Sequence, residues 1–222
     1  MSIPVRLQSK TEPFSLVNLD GKTKKNFEMV IARYDEDISW SDNYLAYRTV
    51  YNKGLPTEYE SIPLENKGHL ADTILKHIIS RYDSLADVTF FCHGSLNYRK
   101  DQLIKESGNC HKRWKDFIRT DSTTCVYIDR SDLPSSNQRF YEYPQTFGSF
   151  YQSMFKKPFK GGFRWACGLW LSVSKEKILG RPKEFYQMLH DWILEDYEGG
   201  EPSQLIYRTR GIYIERILIH AF

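Results

Sequence analysis

The chain is poor in cysteine. Its four, Cys92, Cys110, Cys125 and Cys167, lack the dense spacing of a disulfide-stapled secreted domain, so reduced thiols in a cytoplasmic protein are the expectation. No run is long and apolar enough to span a bilayer, and Met1 to Lys10 lacks the hydrophobic centre of a secretory signal. Charge of one sign is also scarce. Thirty-one Lys and Arg against 28 Asp and Glu leave +3, and the basic runs Lys22 to Lys25 and Lys156-Lys157 are short. A nucleic-acid binder concentrates its cations in a stripe, so nucleic acid is not an expected partner. Gly-x-Ser-x-Gly, the phosphate-loop glycine-lysine motif and the dinucleotide glycine fingerprint are all missing, which takes most support from hydrolase-triad and nucleotide-triphosphatase readings. The pairs Cys92-His93 and Cys110-His111 do not make structural zinc plausible. Neighbours on a strand point to opposite faces, and the spacing is not that of a zinc knuckle.

What is present is aromatic. Phe, Trp and Tyr make up 15% of the chain, with fifteen tyrosines. Such residues fill cores, and an apolar face with a polar tip also suits flat, hydroxylated ligands. A length of 222 residues suits one domain. Residues 1–25 read as an irregular lead-in, and 26–222 as the domain.

Phe27 to Tyr34 has the apolar centre of a buried parallel strand and runs into Asp35-Glu36-Asp37. A short helix is expected over Ser39 to Leu45, capped by Ser39 or Ser41, then a strand Tyr47 to Tyr51 that stops at Asn52-Lys53-Gly54. Leu70, Ala71, Ile74, Leu75, Ile78, Ile79 and Tyr82 share one helical face, with His69, Asp72, Thr73 and Lys76 on the other and Asn66 as the cap. Val88 to Cys92 is a strand ending at His93-Gly94. Further strands are expected at Cys125 to Asp129 and Trp165 to Val173. Helices are expected at Lys175 to Leu179, Lys183 to Leu194 and Ile212 to His220, with a long loop over 130–163. Strand and helix alternate in the first half, so the expected fold is α/β: a mostly parallel, Rossmann-like sheet flanked by helices. Ligands of such sheets bind beyond the carboxyl ends of the strands, near a switch in strand order. The candidate tips are Tyr34 to Asp37, Asn52 to Gly54 and Cys92 to Ser95.

Carboxylates at Asp35, Glu36 and Asp37 suit a hard cation, or a ribose or base; a solvated turn is an equally good reading. His69 and Asp72 sit three apart in the first helical turn, where the dipole favours an acid. An ordinary exposed face would look the same. His93 ends a buried strand, as a ligand or a satisfied polar group. Glu215, beside Ile214, Ile217 and Leu218, is either a base with a raised pKa or a salt-bridged helix residue.

Together, Ala32 to Asp37, Asn66-x-Gly68-x-x-Ala71-Asp72, the helix, and the strand with its polar end resemble the nucleotide-sugar half of GT-A glycosyltransferases. Ala166 to Ser174, Arg181 to Tyr186 and Ile214-Glu215-Arg216 are similar to poorly characterised relatives of those enzymes, including the glycosyltransferase domain with which large algal viruses decorate their capsid protein. The likeness covers about 28–222. It implies a GT-A-like fold, with 26–96 as the nucleotide-sugar half and 97–222 as the acceptor half. It also implies a nucleoside-diphosphate sugar donor, a UDP-sugar first, and a glycan or glycoprotein acceptor. Mn²⁺ or Mg²⁺ would serve as Lewis acid on the diphosphate. Carried over by position, Tyr34, Asp35, Asn52, Lys53, His69, Asp72 and His93 would hold the donor. Tyr141, Phe147, Trp165 and Trp170 would line the acceptor side. Asp72 or Glu215 would deprotonate the acceptor. Cys92-His93-Gly94 stands where the family has Asp-x-Asp, so His93 with Asp37 is the implied metal pair, unless Lys, Arg and His stabilise the leaving group instead. The location would be cytoplasmic, the host cytoplasm for a viral protein. The competing readings are a non-catalytic carbohydrate-binding module and a metal-dependent phosphodiesterase or nuclease built on Asp35, Asp37 and His93.

Overall fold

The computed structural model describes residues 16–17, 24–95, 124–127, 139, 143–161 and 166–222. Six strands form one sheet: β3 (Phe27–Arg33), β4 (Arg48–Asn52), β5 (Ile62–Pro63), β6 (Val88–His93), β7 (Thr124–Tyr127) and β8 (Ala166–Ser174), in the order β5-β4-β3-β6-β8-β7. Pairings β3–β4, β3–β6 and β4–β5 are parallel; β8 is antiparallel to both neighbours. The expected α/β, mostly parallel sheet is therefore present, with one strand reversed. The lead-in holds a pair of its own, β1 (Leu16–Val17) antiparallel to β2 (Lys24–Lys25).

Alternation along the central strands sends side chains to two cores. Val30, Ala32 and Phe91 face the larger one; Met29, Ile31, Phe90 and Cys92 face the smaller. The larger core is roofed by α1 (His69–Arg81), α2 (Phe147–Phe155), α4 (Lys183–Leu194) and α5 (Gln204–Ala221); α3 (Lys175–Leu179) follows β8 directly. The smaller core is closed by Ile38 and Tyr44, from the 3-10 helix Ser39–Tyr47 and its approach. That segment, expected as a short helix, carries no side-chain cap.

Three helical expectations change. Residues 147–155, inside the stretch expected as a long loop, are α2; Thr146 caps it by accepting the Ser149 N–H at 3.3 Å. The final helix starts at Gln204 rather than Ile212, with Ser203 accepting the Ile206 N–H. And α1 starts after Gly68, in left-handed conformation (φ 65°), with no side-chain cap from Asn66. Its second face is only half exposed: His69 and Lys76 meet solvent, but Asp72 and Thr73 are buried, because α4 and α5 pack on the helix.

Gly68 and Gly211 let α5 reach the start of α1. A Cβ on Gly211 would lie 2.6 Å from the Gly68 carbonyl oxygen. Only a glycine permits that approach.

Candidate functional site

Strand order turns at the β3–β6 boundary, so the crevice of this sheet lies beyond Arg33 and His93. Arg33, 7% exposed at the end of β3, organises it. Its Nε donates to the Glu36 carbonyl at 2.9 Å; its Nη1 donates to Asn52 Oδ1 at 2.8 Å, the Leu55 carbonyl at 3.1 Å and the Tyr34 carbonyl at 3.2 Å. One guanidinium thereby ties the loops after β3 and β4 together. All four acceptors are neutral, so among the described residues its charge has no carboxylate partner.

The β6 tip is pinned from the other side. Gly94 N–H donates to the Ala32 carbonyl at 2.8 Å, and Trp40 Nε1 donates to the Gly94 carbonyl at 2.7 Å. Glu36 folds into the gap: it accepts the Tyr34 N–H at 2.7 Å, and a Cβ on Gly94 would stand 2.8 Å from its Oε2. Glu36 is thus spent on loop geometry. What the crevice presents outward is the Tyr34 ring, 49% exposed, and the exposed carboxylate of Asp35; His93 is half-buried at the β6 end.

Asn52 was expected to touch a donor. Its amide instead serves Arg33 and donates through Nδ2 to the Leu55 carbonyl at 2.9 Å. Lys53 and Asp72 are corrected more sharply. Lys53 Nζ is buried and donates to the His69 carbonyl at 2.7 Å, Asp72 Oδ2 at 2.8 Å and the Lys67 carbonyl at 2.9 Å. The other Asp72 oxygen, Oδ1, lies 3.1 Å from His190 Nε2 of α4. At 2% exposure with both oxygens occupied, Asp72 is a fastening between β4, α1 and α4, and it is not free to act as a base. Burial lowers the Lys53 pKa from 10.5, against the charge and hydrogen bond of Asp72.

His69 is exposed in left-handed conformation (φ 53°). Partial desolvation lowers its pKa below 6.5, with help from the positive charges of Lys53 and Arg208, so at neutral pH its imidazole is uncharged. Beside the β4 and β5 tips lies a cavity of about 400 Å³, lined among others by Asn52, Gly54, Pro63 and Glu65. Gly54 is obligatory there, since a Cβ would fall 2.1 Å from the Tyr34 carbonyl oxygen.

Of the implied metal pair, Asp37 is committed to its own loop. Asp37 accepts the Ser39 N–H and hydroxyl, both at 2.9 Å, and the Tyr59 hydroxyl at 2.7 Å. The Ser39 N–H, then the Tyr59 and Ser39 hydroxyls, lower its pKa. Among the described residues no three His, Cys, Asp or Glu gather as cation ligands. A hard cation asks for six or more oxygens, and these residues do not fit one.

Of the acceptor-side residues only Phe147 has a described side chain. Phe147 is fully buried against Phe159 and Tyr213, which is core and not a lining. Tyr141 and Trp165 lie outside the described residues, as does the side chain of Trp170. Glu215 is half-buried on α5, one turn beyond Gly211. Sequence reasoning missed Arg33 and His190. A cation closing the apolar run Met29 to Ala32 was a visible signal for the first; a histidine on the apolar face of a helix was the only sign of the second.

No helix among the described residues is long and apolar enough to cross a membrane. No curated protein and no solved structure matches the chain. A family model described as "Protein of unknown function (DUF3431)" matches residues 29–217, and the chain belongs to that family.

Proposed function

We propose that the chain is a GT-A-type glycosyltransferase that binds a nucleoside-diphosphate sugar, a UDP-sugar first, in the β3–β6 crevice and passes the sugar to a hydroxyl of a glycan or glycoprotein. The observation that carries this reading is the switch in strand order with its loaded tips: an exposed aromatic, an exposed carboxylate, a histidine, and a buried arginine without a counter-ion among the described residues. Each suits one part of such a donor. The Tyr34 ring offers a face for the base, and Asp35 accepts from base or ribose hydroxyls. The diphosphate is drawn by the uncompensated charge of Arg33 and meets donors on His93 and His69.

Transfer leaves negative charge on the departing diphosphate. Fixed donors aimed at that charge would stabilise it without reorganising. No step is routed through a metal, since the described residues do not form a cation site. Asp72 is withdrawn as the base that takes the acceptor's proton; Glu215 is retained for it.

A panel of nucleotide sugars, incubated with the protein and assayed for free nucleoside diphosphate, tests the reading. Slow release that needs about tenfold more donor in Tyr34→Ala supports it. Glycan binding with no nucleotide affinity supports the carbohydrate-binding module, and phosphodiester cleavage without an acceptor supports the nuclease.

A further inference from the structure

Helix α4 buries Tyr186, Leu189, His190 and Ile193 against the rest of the protein. At the edge of that core Met188 and Trp192 pack on it with one side and stay half-buried on the other, beside Met154 of α2. These three floor a groove of about 630 Å³. One rim is a single helical stripe: Glu184, Gln187, Asp191 and Glu195, at successive turns over about 16 Å.

The rim is electrically unanswered. Among the described residues none of the side-chain carboxylates of Glu184, Asp191 and Glu195 meets a lysine or arginine. Asp191 takes a 2.6 Å bond from Gln187 Nε2 and lies 3.9 Å from His190 Nδ1. The chain as a whole carries +3, so this stripe runs against its own balance. The end of the helix backbone is answered from inside, since the buried Arg210 guanidinium donates to the Ile193 and Glu195 carbonyls, but the rim carboxylates are not. A stripe of unpaired carboxylates beside an apolar floor suits a cationic partner outside the chain.

We propose that this groove docks a basic amphipathic helix of a partner protein, with apolar anchors on Met154, Met188 and Trp192 and lysines or arginines on the carboxylate stripe. Thioether side chains re-pack around differing anchors, and a helix seats in such a groove with residues at one-turn spacing. Three carboxylates over about 16 Å match three turns of that helix. The surface is separate from the β3–β6 crevice, so the inference does not rest on the transferase reading.

The probe is a labelled 18-residue peptide of leucine and lysine patterned as an amphipathic helix, titrated by fluorescence anisotropy at low salt. Expected is saturable binding that weakens as salt rises. It falls at least tenfold in E184K/D191K/E195K and is unchanged in E60K/D83K, which reverses two exposed charges elsewhere. A serine-for-leucine peptide of equal charge binds the unaltered protein at least tenfold more weakly. That arm stands even if the triple variant does not fold. Binding equal to that of the serine peptide overturns the proposal, as does failure to saturate at millimolar peptide. So does a neutral oligosaccharide occupying the groove instead, or self-association of the protein that E184K/D191K/E195K abolishes.

Discussion

At the carboxyl end of the sheet, α1 is held by Lys53, Asp72 and His190; nearer its other end it is held by His77, set against Glu28 of β3 and Tyr51 of β4. Both fastenings put a carboxylate and a histidine in the interior, and they are finished to different degrees. In the first, the lysine spends three bonds and each carboxylate oxygen has a partner. In the second, Glu28 accepts the Thr49 hydroxyl at 2.6 Å, but His77 Nε2 stands 3.4 Å from Glu28 Oε2 without hydrogen-bond geometry. The difference teaches where the structure demands accuracy. The finished fastening fixes the start of α1 and the loop after β4, which border the crevice; the looser one only joins a helix to the sheet.

The largest effect should come from the finished end. Asp72→Leu leaves the Lys53 ammonium buried beside carbonyls alone and should cost about 3–5 kcal/mol in urea unfolding. Lys53→Met with Asp72→Leu should recover more than half of that, because an apolar pair removes the stranded charge. A double variant no better than the single one would mean that the carbonyl bonds, not the ion pair, set the geometry.

Next comes the close approach of the two loops. Gly54→Ala drives a methyl into the Tyr34 carbonyl and should cost about 1–3 kcal/mol of stability, with donor-sugar binding lost alongside it. Thermal unfolding with and without nucleotide sugar reads both.

The looser end should show itself through pH. Burial raises the Glu28 pKa, but the nearby His77 imidazole and the Thr49 bond outweigh it, leaving the pKa below 4.5. A lowered carboxylate pKa contributes stability that is complete above the unfolded value and is lost as pH falls through the folded one. The advantage of the unaltered protein over Glu28→Gln should therefore be full at pH 6 and shrink below about pH 4.5. An advantage that persists at acid pH would show that shape, not charge, matters there.

The smallest stability change belongs to the crevice surface. Tyr34→Ala should alter unfolding by less than about 0.5 kcal/mol, since half the ring is already in water, while weakening donor binding about tenfold.

The same contrast explains what the sequence could and could not disclose. β3, β4, β6 and α1 were legible because apolar periodicity and turn residues are local signals. The three strand tips followed from them. The reversal of β8 was not legible, since a strand's own pattern does not state its direction. Helix α2 hid among prolines and aromatics, although Thr146 before Phe147 was a readable cap. Asp72 was read as exposed because its helix face is polar; His190, far along the chain, is what buries it. Lys53 and Asn52 were read as ligand contacts for a related reason. A polar residue at a strand tip looks alike in sequence whether it meets a ligand or its neighbouring loop.

The central claim is that the β3–β6 crevice binds a nucleotide sugar, and hydrogen exchange with and without a saturating UDP-sugar tests it most directly. The account predicts slowed exchange at 34–37 and 93–95, with α4 unchanged. Protection confined to other segments, or none at any nucleotide sugar that the protein is offered, would contradict it.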